Sequence, residues 1–181
     1  MADFDEIRIE TPRLILRPPR TADLDAWTGM MLDPQTARFI GGVLPRPLCW
    51  RQIMTIIGAW HATGFAMFSV IEKETGRWVG RLGPWQPEGW PGAEIGWSIV
   101  RDCWGKGYAV EGAAAAADWA FDTLGWPEMI HAIAPENRNS QRVAEKLGSR
   151  NRGPGTLPAP FEHDSVDIWG QTRDEWRARR S

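Results

Sequence analysis

The junction between an apolar strand pattern and an alanine-rich helix constrains this chain more than any other feature. A strand pattern over residues 93–100 is followed by Gly105-Lys106-Gly107, and alanines occupy positions 113–117. Glycines let the backbone approach a ligand without a Cβ in the way, and the first turn of a helix presents unpaired N–H groups and the positive end of its dipole. The sequence therefore predicts a turn that holds an anion such as phosphate, although purely structural turns also contain Gly-x-Gly.

Length and composition predict a single domain over residues 1–181. The chain has 181 residues, 43% of them hydrophobic, which is enough for one well-buried core and short for two. Its 21 Lys plus Arg against 23 Asp plus Glu give a net charge of -2, so there is no excess of positive charge to follow a nucleic-acid backbone. We therefore expect no nucleic-acid partner.

The cysteine and hydropathy patterns favour a cytoplasmic protein. Cys49 and Cys103 lie far apart and belong to no Cys/His cluster, which argues against a disulfide scaffold and against a bound metal. Residues 1–10 lack the basic start and apolar core of an export signal. The longest apolar runs are far shorter than the roughly 20 residues that cross a bilayer, so we expect no membrane association.

Hydrophobic periodicity and turn signals predict a mixed α/β protein. The predicted elements are a strand over 7–17, helices over 21–31, 33–41 and 48–61, strands over 65–72, 77–83 and 93–100, a helix over 107–123, a strand over 129–134, a helix over 137–147, and a strand over 165–171 before a basic terminal turn. The strand, helix and strand over 93–134 predict a right-handed crossover with two parallel strands side by side. His131, on the second of these strands, is expected to face solvent.

Four motifs in a fixed order carry a family resemblance. They are Ala93-Glu94-Ile95-Gly96-Trp97, residues 104–111, Asn137-Arg138-Asn139-Ser140 and Glu145-Lys146-Leu147-Gly148. Together they resemble the GNAT superfamily of acetyl-CoA-dependent N-acetyltransferases, and the opening segment 10–17 further resembles its RimJ/RimL branch. The resemblance covers nearly the whole chain. It implies an α/β (α+β) fold with a mixed, mostly antiparallel sheet of six or seven strands, flanking helices, and acetyl-CoA as co-substrate.

The resemblance also implies where the co-substrate binds. In the family the Gly-x-Gly loop holds the CoA pyrophosphate with backbone amides, and the pantetheine arm lies between two splayed parallel strands. Asp102 stands where the family usually has Gln or Arg and is expected to point to solvent, whereas Lys106 either adds charge or is simply solvated. The predicted cofactor-binding residues are Trp97, Ser98, Ile99, Trp104, Gly105, Lys106, Gly107, Tyr108, Ala109, Asn137, Asn139 and Ser140.

The candidate catalytic residues are Ser140 and Glu94. Many relatives protonate the departing thiolate with a tyrosine that is Ala144 here, so Ser140 is our hypothesis for the proton donor, with helix capping as its alternative role. Tyr108 lies in the phosphate loop and is poorly placed to substitute. Glu94 is the candidate base, with a salt bridge or solvent exposure as alternatives. Main-chain amides around Trp97 to Ile99 are the expected oxyanion donors.

These observations lead to an N-acetyltransferase that moves an acetyl group to a primary amine, either a protein N-terminus or a small molecule. The missing tyrosine leaves open a non-catalytic acyl-CoA sensor or interaction module, and the loop alone leaves open a nucleotide-phosphate binder. Acetyl-CoA and an amine acceptor are the expected partners, and the protein is a monomer or a homodimer. Trp85, Pro87 and Trp90, in a long loop, either line the acceptor cleft or cover the core.

Overall fold

The computed structural model describes residues 4–180, and its described strands form one sheet. The strands are β1 Ile9–Glu10, β2 Leu14–Arg17, β3 Phe68–Glu72, β4 Trp78–Trp85, β5 Glu94–Ile99, β6 Glu128–Ile133, β7 Arg150–Gly155 and β8 Val166–Thr172. The α-helices are α1 Leu24–Leu32, α2 Pro34–Ala37, α3 Arg46–Thr63, α4 Tyr108–Thr123, α5 Arg138–Leu147 and α6 Arg173–Arg180. The sheet order is β1-β2-β3-β4-β5-β6-β8-β7, and β5–β6 is the parallel pair among antiparallel neighbours. The predicted fold class and parallel pair are confirmed.

Three predictions about individual elements were wrong. The single strand over 7–17 is a hairpin, because the chain turns at Pro12 and pairs Ile9 with Leu16. The 8-stranded sheet also includes β7, which lies at its edge beside β8 and has no apolar alternation to reveal it. The terminal basic segment is the helix α6, whose Trp176 is buried. An edge strand such as β7 needs only main-chain hydrogen bonds to one neighbour, so its sequence carries little signal.

Helix α4 lies across the sheet because its small residues allow close approach. Ala113, Ala116, Ala117 and Ala120 are fully buried, and a Cβ added at Gly112 would lie 2.5 Å from Leu82 of β4. The alanine run therefore packs closely against the sheet and fixes the helix N-terminus beside the C-terminal end of β5. Within residues 4–180, no helix is both long and apolar enough to span a bilayer.

Candidate active site

Strands β5 and β6 meet at one end and separate at the other. Their pairing consists of the single register pair Glu94↔Ile130, supported by a hydrogen bond of 2.9 Å from the Ile130 amide to the Ala93 carbonyl. Ladder pairing between these strands stops after that pair. Two parallel strands that pair only at their start leave a groove between their C-terminal halves.

A cavity of about 610 Å³ lies between the unpaired half of β5 and helix α5, which follows β6, and its volume is in the range of small-molecule binding sites. It is lined by Gln35, Thr36, Phe39, Ile40, Trp97, Ser98, Ile99, Cys103, Trp104, Gly105, Gly107, Tyr108, Ala109, Val110, Asn137, Asn139, Ser140, Arg142, Val143 and Lys146. Lys106 is the one predicted cofactor-binding residue that is not part of this lining. The structure thus brings the other predicted cofactor-binding residues together around one space.

Sequence reasoning missed the contributions of α2 and of the rest of α5 to this cavity. Asn139, Arg142, Val143 and Lys146 recur at helical spacing and present one face of α5 to the cavity. That spacing was the available signal, and it brings two basic residues to a site predicted to hold an anion.

The Gly-x-Gly turn has the backbone conformation that glycine permits. Gly105 has φ +78° and Gly107 has φ +84°, both in the left-handed region. The first helical hydrogen bond of α4 runs from the Glu111 amide to the Gly107 carbonyl at 3.0 Å. The amides of the three preceding residues, Tyr108 to Val110, therefore have no acceptor within the helix and lie at the positive end of its dipole.

The turn between β1 and β2 holds this loop from behind. Arg13 donates from Nη1 to the Lys106 carbonyl at 2.8 Å, and its guanidinium forms an ion pair with Glu111 at 2.6 Å. The same guanidinium lies 4.8 Å from the centre of the Tyr108 ring. Burial opposes ionisation of Glu111, but hydrogen bonds from Thr11 and Arg13 outweigh it and lower the pKa of this carboxyl. We call Arg13 and Glu111 the loop clamp.

Two side chains of the loop point away from the cavity. The Tyr108 hydroxyl donates to Glu72 at 2.7 Å, and this hydrogen bond raises the pKa of Tyr108. The Lys106 ammonium is half-exposed and lies 3.9 Å from the same carboxylate. Asp102 is exposed and paired with Arg77 at 2.7 Å, so it lies on the solvent side as expected. The loop therefore presents mainly backbone to a ligand.

Ser140 occupies the first turn of α5 without capping it. Asn137 is the N-cap, since its side-chain oxygen accepts from the Ser140 amide at 3.2 Å. The Ser140 hydroxyl instead accepts a hydrogen bond from the indole N–H of Trp97 at 3.3 Å. Because the indole is a donor only, the hydroxyl hydrogen of Ser140 stays available to a group in the cavity.

Glu94 lies at the point where β5 and β6 separate. Its side chain is buried, and both oxygens accept N–H bonds, from the Trp90 indole at 2.5 Å and from the Ala132 amide at 3.3 Å. Burial raises the pKa of Glu94 to about 7. Neither alternative from the sequence, a salt bridge or solvent exposure, describes Glu94 within residues 4–180, and its carboxylate lies outside the cavity lining.

His131 does not face solvent, which corrects the prediction. It is 1% exposed, its Nδ1 lies 2.7 Å from the Ile95 carbonyl and its Nε2 lies 2.9 Å from the Ser149 hydroxyl. Its ring centre lies 4.8 Å from that of Trp97. Burial lowers the pKa of His131 to about 4, so the imidazole is neutral near pH 7. A polar ring can be buried here because both of its nitrogens have partners.

The long loop before β5 covers Glu94. Trp90 donates to that carboxylate and packs edge-on against Phe161 at 6.4 Å, which ties this loop to the segment before β8. Glu162, His163 and Asp164 in that segment are exposed. In the part of the chain that the structure describes, no group of three or more His, Cys, Asp or Glu side chains is arranged to hold a metal ion.

Comparisons with known proteins agree with this geometry. Residues 13–150 match the family described as acetyltransferase (GNAT) domain. The uncharacterised protein YkkB of Bacillus subtilis is 31% identical over 149 residues, which cover 78% of this chain and 84% of that protein. The crystal structure of an acetyltransferase from Agrobacterium tumefaciens has a TM-score of 0.80 at 29% identity and covers 96% of this chain and 98% of its own. Mycobacterium smegmatis RimJ, solved in complex with CoA-disulfide, shares the fold with a TM-score of 0.68 at 22% identity, over 90% of this chain and 83% of its own.

Proposed function

Because the chain belongs to the GNAT family of acetyltransferases and uses acetyl-CoA, we propose that it transfers the acetyl group directly to a primary amine. The acceptor is a protein N-terminus or a small-molecule amine. The single observation that carries this proposal is the groove between β5 and β6, which opens into a cavity of about 610 Å³ beside the glycine turn. A site that binds only the phosphates of a nucleotide would not need strands that separate in this way.

The residues around the cavity fit the parts of acetyl-CoA. The amides of Tyr108 to Val110 suit the pyrophosphate, and Arg142 and Lys146 supply positive charge on the facing helix. The groove between the strands suits the extended pantetheine arm, whose amides require main-chain partners. Acetyl-CoA supplies the activated acetyl group; the protein supplies orientation, an oxyanion donor and a proton.

Trp97 is the residue best placed to donate to an oxyanion. Peptide groups alternate in direction along a strand, and the Val100 amide bonds to Val79 of β4 at 2.9 Å, so the amides of Trp97 and Ile99 face the groove. In a regular ladder the Trp97 amide would donate to Ala132, but pairing has already stopped. Its N–H is therefore in position to stabilise charge on a carbonyl oxygen at the cleft.

Ser140 is proposed as the proton donor to the departing thiolate. Its oxygen already accepts a hydrogen bond from the Trp97 indole, which leaves the O–H free to donate. Ser140 is not needed as the cap of α5, because Asn137 has that role. Ser140→Ala should lower kcat with little change in the affinity for acetyl-CoA. Ser165→Ala, in an exposed loop, is the matched control. Unchanged turnover in the Ser140 variant would reject this assignment.

Glu94 stays the candidate base. Its pKa of about 7 suits proton transfer near neutral pH, and the proton would have to reach it through water because its carboxylate lies outside the cavity lining. The same proposal describes a cytoplasmic monomer or homodimer, in keeping with two free, buried cysteines.

Two measurements test the proposed function. Acetyl-CoA should raise the melting temperature more than ATP or NAD does, because neither nucleotide carries a pantetheine arm for the groove. A panel of peptides and small amines, read by mass increase and free thiol release, should then identify the acceptor. Tight acetyl-CoA binding without turnover on any amine would favour the sensor instead, and protection by ATP alone would favour a nucleotide site.

A further inference from the structure

Two side chains occupy backbone groups of β5 and β6 at the point where these strands separate. Beyond the two bonds of the Glu94↔Ile130 pair, the next bond of a regular parallel ladder would run from the Ala132 amide to the Ile95 carbonyl. Both of these groups have other partners. The Ala132 amide donates to the Glu94 carboxylate at 3.3 Å, and the Ile95 carbonyl accepts from His131 at 2.7 Å.

The protonation state of His131 follows from its two hydrogen bonds. A carbonyl can only accept, so Nδ1 carries the proton, and the neutral ring then accepts the Ser149 O–H at Nε2. The Ser149 oxygen in turn accepts from the Gln171 amide at 3.0 Å, and the same amide donates to the Leu147 carbonyl at 2.9 Å. His131 is thereby fixed by β8 and by the end of α5, not only by its own strand.

We propose that Glu94 and His131 are positioning residues that keep β5 and β6 apart, and we call them the strand wedge. By occupying the Ala132 amide and the Ile95 carbonyl, they prevent the ladder from continuing into the groove. The Trp97 amide and the Ala132 carbonyl, the next potential pair, then remain open to a ligand. This inference rests on the proposed function, because the groove it maintains is the one assigned to the pantetheine arm.

The wedge also acts on the candidate proton donor. The His131 ring packs against the Trp97 indole, and that indole donates to Ser140. A change at His131 should therefore alter two properties together, the opening of the groove and the orientation of the Ser140 hydroxyl. A residue that only fills the core would have neither effect.

The decisive experiment compares two ligands on two variants. His131→Phe keeps a ring against Trp97 but removes the donor to Ile95, whereas His131→Asn keeps a side-chain N–H close to the position of Nδ1. The wedge predicts that His131→Phe weakens acetyl-CoA binding about tenfold or more, because a buried carbonyl loses its partner and the strands can pair. His131→Asn should restore most of that affinity.

The second ligand is 3′-phosphoadenosine 5′-diphosphate, the nucleotide half of CoA, which reaches the glycine turn but not the groove. The affinity for this nucleotide should be the same in the wild type and in His131→Phe. The control His61→Phe, at an exposed helix end, should change the affinity for neither ligand. Equal weakening of both ligands by His131→Phe would overturn the wedge, as would unchanged acetyl-CoA binding. Failure of the wild type to bind acetyl-CoA would instead overturn the proposed function.

Variants at Glu94 separate the wedge from a role as base and remain informative if His131→Phe does not fold. Glu94→Gln still offers an oxygen to the Ala132 amide, so its affinity for acetyl-CoA should be kept. Glu94→Leu should bind acetyl-CoA more weakly, with an unchanged affinity for the nucleotide half. Acetyl-CoA affinity that is unchanged in Glu94→Leu would contradict the wedge. A loss of kcat in Glu94→Gln at unchanged affinity assigns base chemistry to the same carboxyl without altering its positioning role.

Discussion

Burial shifts the pKa values of the two residues of the strand wedge in opposite directions, and this leads to a prediction about stability. Burial raises the pKa of Glu94 from 4.5 to about 7 and lowers that of His131 from 6.5 to about 4. Between about pH 4.5 and pH 7, Glu94 is protonated in the folded protein but ionised in the unfolded chain. Glu94 therefore makes the fold less stable as pH rises. Between about pH 4 and pH 6.5, His131 is neutral in the folded protein but protonated in the unfolded chain. His131 therefore makes the fold less stable as pH falls.

In the wild type the two contributions nearly cancel from about pH 5 to about pH 6.5. Removing either ionisable group should make the pH dependence that the other contributes to stability measurable. Each pH unit of proton-binding difference is worth about 1.4 kcal/mol, so each group contributes on the order of 2 kcal/mol between about pH 5 and pH 7. Glu94→Gln should therefore lose stability relative to the wild type on acidification, and His131→Asn should gain it. The two variants should diverge by about 4 kcal/mol over this interval.

Urea unfolding of both variants and the wild type at several pH values measures this divergence. Other carboxyls with lowered pKa, such as Asp23 and Glu111, weaken the fold in acid equally in all three proteins and cancel in the differences. Arg81, close to Glu94, keeps its charge throughout because its pKa is lowered only to about 10. If the free energies of unfolding of the two variants change in parallel with pH, burial does not control these groups and the reasoning is refuted.

Three further predictions concern the glycine turn and its support. Arg13→Ala should raise the Kd for acetyl-CoA about tenfold at nearly unchanged kcat, because the loop clamp is lost, whereas Arg8→Ala, in an exposed ion pair, should not; equal Kd values by calorimetry would count against the clamp. Gly107→Ala should cost about 1 kcal/mol in thermal unfolding, since φ is +84°, and should weaken acetyl-CoA as well. Gly112→Ala should reduce the free energy of unfolding by about 1–3 kcal/mol through overpacking against Leu82, and so lower the melting temperature, while leaving the Kd for acetyl-CoA unchanged.

The sequence predicted the site best where the determinants are local. The strand, the glycine turn and the alanine helix are consecutive, so the glycine turn and the crossover could be predicted from residues 93–134, and both are found in the structure. Ser140 lies on the first turn of α5, as predicted, and Asn137 precedes the helix as its N-cap. The choice between them as cap required coordinates, because it depends on an indole from β5 that competes for the hydroxyl.

What the sequence could not predict depends on partners distant in the chain. Arg13 reaches Lys106 from the distant turn between β1 and β2, and nothing in the segment around Arg13 indicates that contact. His131 looked like a solvent-facing residue because a histidine in a strand is usually partly exposed, and its two partners, Ile95 and Ser149, come from other elements. Periodicity reports which face of an element is buried but not which hydrogen bonds make burial of a polar ring possible.

The missing tyrosine loses its force as an argument for a non-catalytic sensor once the environment of position 144 is known. Ala144 is fully buried and packs with Ile133 and Trp169, so a larger side chain at that position would have to displace core residues before reaching the cavity. Ser140 lies one turn earlier on the same helix, borders the cavity and keeps its hydroxyl hydrogen uncommitted. A core that excludes a tyrosine is therefore compatible with catalysis, because a smaller donor stands closer to the groove.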